Sequence, residues 1–177
     1  KGLNSTWDTI EKRHINPNFE KKWERKLNIE IFNEDLEQIV NQNAGVKIFG
    51  GMTKYGREKS LRIIARNQYG EKKINTDLFG IGKKKYKQLV LRHSGNDHNN
   101  TRFKDAFLTS IISEEGIDVQ QSTPTHLFIN SEYWGVYNIR EKINEHYIKN
   151  NYEIATDSLE IIQGLKTAEF GNNKSYN

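Results

Sequence analysis

Apolar positions alternate with polar ones along much of this chain. "KLNIEIFNED" sets Leu27, Ile29 and Ile31 against polar neighbours, the period-2 mark of a half-buried strand. "GVKIFGG" predicts a second strand that ends at a glycine pair. "KSLRIIARNQYG" predicts a third, with Leu61, Ile63 and Ala65 on one face and Ser60, Arg62 and Ile64 on the other. "QLVLRHSGND" then supplies a short apolar strand and a glycine turn, after a basic connector from Asn75 to Lys87 that holds "IGKKKYK".

The period changes in "NNTRFKDAFLTSIISEEG", where Phe103, Phe107 and Ile111 recur at helical spacing beside Ala106. Asn100 or Thr101 is placed to cap this helix and Gly116 to end it. "THLFINSEYWGVYNI" predicts a hairpin turning at Asn130 and Ser131, with Tyr133, Trp134 and Tyr137 packing it. A second helix, "NEHYIKNNY", follows Ile143, and "SLEIIQG" is one more candidate strand. Residues 1–22, interrupted by Pro17, suggest an irregular lead-in. The order predicts an α+β domain, an antiparallel sheet with a packed helix on one face.

Composition narrows the partners. At 177 residues with 34% hydrophobic and 11% aromatic content the chain is long and apolar enough for one globular domain. A net charge of +4 makes its surface mildly cationic and favours phosphate-bearing partners. Without cysteine, disulfides, thiolate metal sites and cysteine nucleophiles are excluded. No apolar run approaches the roughly 20 residues of a membrane-spanning helix. The first residue is Lys1 rather than Met, which suggests processing and leaves room for a removed export signal.

The chemistry concentrates in "GGMTKYGREKSLRI". If the flanking strands pair, Gly50 to Glu58 is the loop that joins them. Gly50 and Gly51 let backbone N–H groups approach an anion, Thr53 adds a hydroxyl, and Lys54, Arg57 and Lys59 add positive charge. A solvated hairpin tip is the competing account. Lys59 shares strand parity with Leu61 and Ile63, so its ammonium needs an anionic partner or a path to solvent. The loop fits neither G-x-x-x-x-G-K-[ST] nor G-x-G-x-x-G. His93 and His98 flank Asp97 in a turn rich in Ser, Gly and Asn; too few ligands accompany them to predict zinc, and no Ser-His-Asp order stands out.

Three blocks, "GVKIFGGMTKYGREKSLRI", "LVLRHSGNDHNNTRFKDAF" and "PTHLFINSEYWGVYNIREKI", resemble in order and spacing the CotH family of atypical protein kinases, known from spore coats and from secreted and surface proteins. The likeness runs from about Trp23 to Tyr152, and "LFINSEYWGVYNIREKI" is its most specific piece. Phe49 stands where the family often has Arg, Ser131 replaces a signature Gly, and Lys104 replaces the Arg that commonly precedes Asp105. The resemblance implies a kinase-like small lobe and hinge over residues 23–152, with 153–177 beginning a second half and the catalytic acids beyond Asn177.

On that resemblance, the loop with Gly50, Gly51, Thr53 and Lys54 covers the phosphates of Mg-ATP and Lys59 reaches them. Asp105 would orient Lys59, or be a first-turn acid that the helix dipole favours. Glu141 would mark the hinge beside the adenine, or pair with Lys142 or Arg140. Both pairs of alternatives stay open. The implied cofactors are ATP and Mg²⁺, and the implied substrate is a Ser or Thr of a coat or surface protein. The implied place is secreted or at the cell surface, or else the spore coat, and the isolated chain is expected to be inactive. A non-catalytic adhesion module of the same fold is the alternative. Nucleic acid, held by "KKKYK" and the loop cations, is not the expected partner.

Overall fold

The computed structural model describes residues 6–8, 13–15, 18–83, 85–152, 154–155, 157, 159–163 and 167–171. Lys84 of the basic connector, parts of the lead-in and the last six residues lie outside these.

Six strands form one antiparallel sheet: β3 (Arg25–Phe32), β4 (Gln38–Phe49), β5 (Ser60–Ile64), β6 (Gln88–Arg92), β7 (Ser122–Ile129) and β8 (Glu132–Glu141). Their spatial order is β3-β4-β5-β6-β8-β7. Two short pairs flank it, β1 (Thr6–Asp8) with β2 (Arg13–Ile15) and β9 (Ile161–Gln163) with β10 (Thr167–Phe170). The helices are α1 (Lys104–Ser113) and α2 (Glu145–Tyr152). The chain is therefore α+β. The lead-in, expected to be irregular, contains the β1–β2 ladder.

Strand parity builds the core. Ile29, Val40, Ala44, Ile63, Ala65, Leu89, Leu91, Tyr137 and Ile139 point to one side and pack together. The basic connector covers them: Ile74 bridges to Tyr86, both are fully buried, and Leu78 and Phe79 close over the cluster. Polar positions of β3 and β4 pair on the ladder, as where Asn28 Nδ2 donates to Asn41 Oδ1 at 3.0 Å. The predicted turn is present: Asn130 and Ser131 both have positive φ, 52° and 65°, as a two-residue hairpin of right-handed twist requires.

The first helix departs from expectation. Its apolar residues at helical spacing, Phe103, Phe107 and Ile111, do not pack on the sheet but are 55%, 54% and 49% exposed. Helix α1 is instead held to the sheet by its polar first turn, through Asp105. Nor do Asn100 or Thr101 cap it; Asp97 does, accepting from the N–H of Lys104 at 3.1 Å and from the Thr101 hydroxyl at 2.6 Å. Of the three hairpin aromatics only Tyr137 is buried, while Tyr133 and Trp134 are exposed.

Candidate functional site

The pairing of Phe49 with Ser60 makes Gly50 to Lys59 a loop over the end of the sheet. Gly50 has φ 122°, and a Cβ there would lie 2.7 Å from Thr53 Oγ1, so this position needs glycine. Behind it the chain makes one short helical turn, Met52–Tyr55, with Lys54 half-buried and Arg57 exposed. The Tyr55 hydroxyl donates to Glu20, and its ring meets Phe19 edge-on at 5.0 Å.

Lys59 folds back under its own loop. Its ammonium donates to the Gly56 carbonyl and sits 4.7 Å above the Phe19 ring. Burial holds its pKa below the ordinary lysine value, since removing the ammonium from water disfavours the charged form. On the core side, the Tyr137 hydroxyl donates to the Lys59 carbonyl at 3.2 Å.

Asp105 does not meet Lys59. Its carboxylate accepts from Arg92 Nε at 3.1 Å and Arg140 Nη1 at 2.8 Å. Register explains why: Leu61 opposes Leu91 and Val90 opposes Arg140, so Arg92 and Arg140 share the face opposite to Lys59, Leu61 and Leu91. Arg62, which opposes Val90, stands on that same face. Gly95, at φ 58°, leaves room for the guanidinium, because a Cβ there would lie 2.9 Å from Arg92 Nη2. Arg140 is buried and its Nε has no partner among the described residues, so two guanidiniums share one acid. Arg92 is the residue missed in the sequence. Its position at the end of "QLVLR", in phase with Val90, was the available signal.

Between the loop and the turn from β6 into α1 lies a cleft of about 140 Å³, with Thr53, Glu58, His93 and His98 in its wall. Both carboxylate oxygens of Glu58 accept from Arg102, each at 2.9 Å, and this hydrogen-bonded cation holds the Glu58 pKa below its ordinary value. Arg102 has φ 62°, and its carbonyl accepts from the Ser94 hydroxyl and from Asn138 Nδ2. Buried Ser94 and Asn138 thus fix the strained turn that carries Arg102.

Glu141 lies at the other end of the sheet. It opposes Leu89, and its carboxylate pairs with Lys83, not with Lys142 or Arg140. Lys83 Nζ lies 5.5 Å and 5.2 Å from the ring centroids of Tyr86 and Tyr147. The Glu141 carbonyl already accepts from Gln120 Nε2 at 2.6 Å. Burial raises the pKa of Glu141, and Lys83 opposes that shift.

The described residues suit part of a nucleotide. Arg92, Arg62, Lys54 and Arg57 are cations of the kind a polyphosphate requires, but none of them lines the cleft, and its 140 Å³ is well short of the ~300 Å³ at which small-molecule pockets begin. For a metal they offer less: among the described residues no three His, Asp or Glu side chains are grouped to hold one.

A family model described as CotH kinase protein matches residues 46–175, well over half of the chain. No curated protein matches it.

Proposed function

Since the chain belongs to the CotH kinase protein family, we propose that it is the nucleotide-binding small lobe of an atypical protein kinase, which acts on Ser or Thr of a coat or surface protein. The observation that carries this assignment is the ion pair between Arg92 on β6 and Asp105 on α1, with the Arg92 guanidinium next to Gly95, a residue in the wall of the cleft under the glycine loop. Phosphoryl transfer asks the protein chiefly for positioned charge, and a strand cation held by a helix acid is such a device.

In this assignment Gly50, Gly51, Thr53 and Lys54 cover the phosphates, and Arg92 rather than Lys59 is their strand cation. Asp105 fixes the guanidinium and leaves it 34% exposed to a ligand. Lys59 shapes the loop from beneath through Gly56. Glu141 holds the hinge end together with Lys83 instead of reading the base. ATP would supply the transferable phosphoryl group. No step through Mg²⁺ follows from these side chains.

A surface-adhesion function is the second assignment. It is favoured by Phe128 and Tyr133, more than half exposed, with ring centroids 5.1 Å apart on the β7–β8 hairpin.

Calorimetric titration of Mg-ATP into the chain separates the two. Saturable binding is expected, weakened tenfold or more by Arg92→Ala, about 1.4 kcal/mol, and weakened less by Lys59→Ala. The reverse order would return the phosphates to Lys59. No binding to the unaltered chain would remove the nucleotide assignment and leave adhesion.

A further inference from the structure

Helix α1 is ten residues long, shorter than the ~12–15 at which an isolated helix becomes stable in water, so it depends on what its faces meet. Its sheet side is accounted for. Asp105 pairs with Arg92 and Arg140, Ala106 and Thr109 are half-buried on the same side, and the Thr109 hydroxyl donates to the Asp105 carbonyl at 2.7 Å. The opposite side is apolar. Phe103 and Phe107 are joined there by Leu108, Ile111 and Ile112, which are 48%, 49% and 44% exposed. At about 100° per residue these five spread over about half of the circumference, turned away from Asp105, Ala106 and Thr109. The usual arrangement is inverted, with the polar residues on the sheet and the apolar stripe in solvent, and a contiguous stripe of this kind marks an interaction surface.

The charges on α1 say what the partner is. Lys104 stands at the first residue of the helix, and Glu114 and Glu115 stand in the turn that closes it, where the Glu115 N–H reaches the Ile112 carbonyl at 3.1 Å. A helix favours anions at its N-terminus and cations at its C-terminus, so all three charges oppose their own helix dipole. They suit an antiparallel copy. With a two-fold axis between Thr109 and Ser110, Lys104 meets Glu115, Phe107 meets Ile112 and Leu108 meets Ile111. Each pair across the seam is then apolar with apolar or cation with anion. A parallel, in-register pair would instead set Lys104 against Lys104 and Glu115 against Glu115.

We propose that α1 is a self-association surface, on which a second copy of this chain packs antiparallel through Phe107, Leu108, Ile111 and Ile112, with Lys104 of each copy against Glu115 of the other. The contact is isologous and closes on itself, so it stops at a dimer. Half-exposed side chains of this size offer on the order of 400 Å² of apolar surface per copy, below the ~800 Å² per partner of a standard interface. The dimer is therefore a reversible one. Because the same helix carries Asp105 on its sheet side, the contact also braces the Arg92–Asp105 pair of each copy.

The test is sedimentation equilibrium of the full chain from about 1 to 300 µM, a range suited to a small interface. The average mass is expected to rise from one chain toward two. Leu108→Lys should weaken association tenfold or more and leave the circular dichroism spectrum unchanged, since Leu108 faces away from the sheet. Lys104→Glu should weaken it about threefold, as two exposed ion pairs become repulsive, and the exchanged double variant K104E/E115K should restore it. This charge exchange tests the register even if Leu108→Lys folds poorly, because both positions are exposed. A mass of one chain at every concentration would overturn the proposal and leave the stripe to a different protein or segment. A dimer that survives Leu108→Lys would place the contact on another face, such as the β7–β8 hairpin, and also overturn it. Failure of the double variant to recover what Lys104→Glu loses would overturn the antiparallel register.

Discussion

The two ends of the sheet each hold an acid among cations, and they differ in enclosure and in charge balance. At one end Glu141 and Lys83 form a one-to-one pair, with side chains 7% and 14% exposed, covered by Tyr86 and Tyr147. At the other, Asp105 is 43% exposed and serves two guanidiniums, Arg92 and Arg140. The sealed pair has no unmet charge, so its work is to fasten the connector before β6 to the end of β8. The open trio keeps a surplus positive charge within reach of solvent, the condition for holding an anion. Identical ion-pair chemistry is thus structural or functional according to what covers it.

The largest effect should come from breaking the sealed pair. Lys83→Met strands the Glu141 carboxylate in a buried site, and removing one partner of a buried pair costs about 3–5 kcal/mol. Urea unfolding should show this loss at pH 8 and a smaller one at pH 5. The sign follows from burial: Glu141 already has a pKa above its ordinary 4.5, and losing Lys83 raises it further. The folded variant then binds more protons than its unfolded chain between 4.5 and the raised value, so stability is present below that window and declines as pH rises through it. A loss that does not depend on pH would mean that water reaches Glu141 and that this end is not sealed.

Asp105→Asn should cost less, about 1–3 kcal/mol. The buried Arg140 loses its counter-ion, but Arg92 and the former carboxylate site are exposed enough for solvent to screen much of the change. Parallel unfolding curves for the two variants compare the ends directly. A loss equal to that of Lys83→Met would show the trio to be as enclosed as the pair.

This contrast was only half legible in the sequence. Period-2 alternation placed β3 and β5, whereas β6 was legible as a short apolar run, buried from Leu89 to Leu91 on both faces, and the β7–β8 hairpin by its turn at Asn130 and Ser131. Strand β4 begins earlier than "GVKIFGG" suggests, at Gln38, since Asn41 and Asn43 face partners on the ladder and give no apolar signal. The short strands β1, β2 and β10 carry no readable period over three or four residues. Arg92 was within reach: the parity that puts Lys59 with Leu61 puts Arg92 on the opposite face, where α1 docks. The Lys83–Glu141 pair was not, because it joins residues 58 apart through a connector that shows no strand or helix pattern. Nor could apolar spacing reveal that α1 turns Phe103, Phe107 and Ile111 outward, since a helical stripe looks the same whichever way it faces.

Backbone strain separates the ends as well. Among the described residues, five other than glycine have positive φ, and Ser94, Arg102, Asn130 and Ser131 belong to the loop end, with Leu36 in the β3–β4 turn. Asn138 opposes Arg92, so the start of β8 and the hairpin tip reach past the glycine-loop end. Ser94 and Arg102 are tied together by Asn138 in the turn from β6 into α1, whereas Ser131 is exposed at the tip. Ser131→Gly should therefore stabilise the chain by about 1 kcal/mol, because φ 65° opposes an L side chain and suits glycine. A matched thermal melt and Mg-ATP titration would check it, with a higher midpoint and unchanged affinity expected. If affinity changed as well, strain at the tip would be coupled through β8 to Asn138 and Arg102, and the open end would act as one mechanical unit from hairpin to glycine loop.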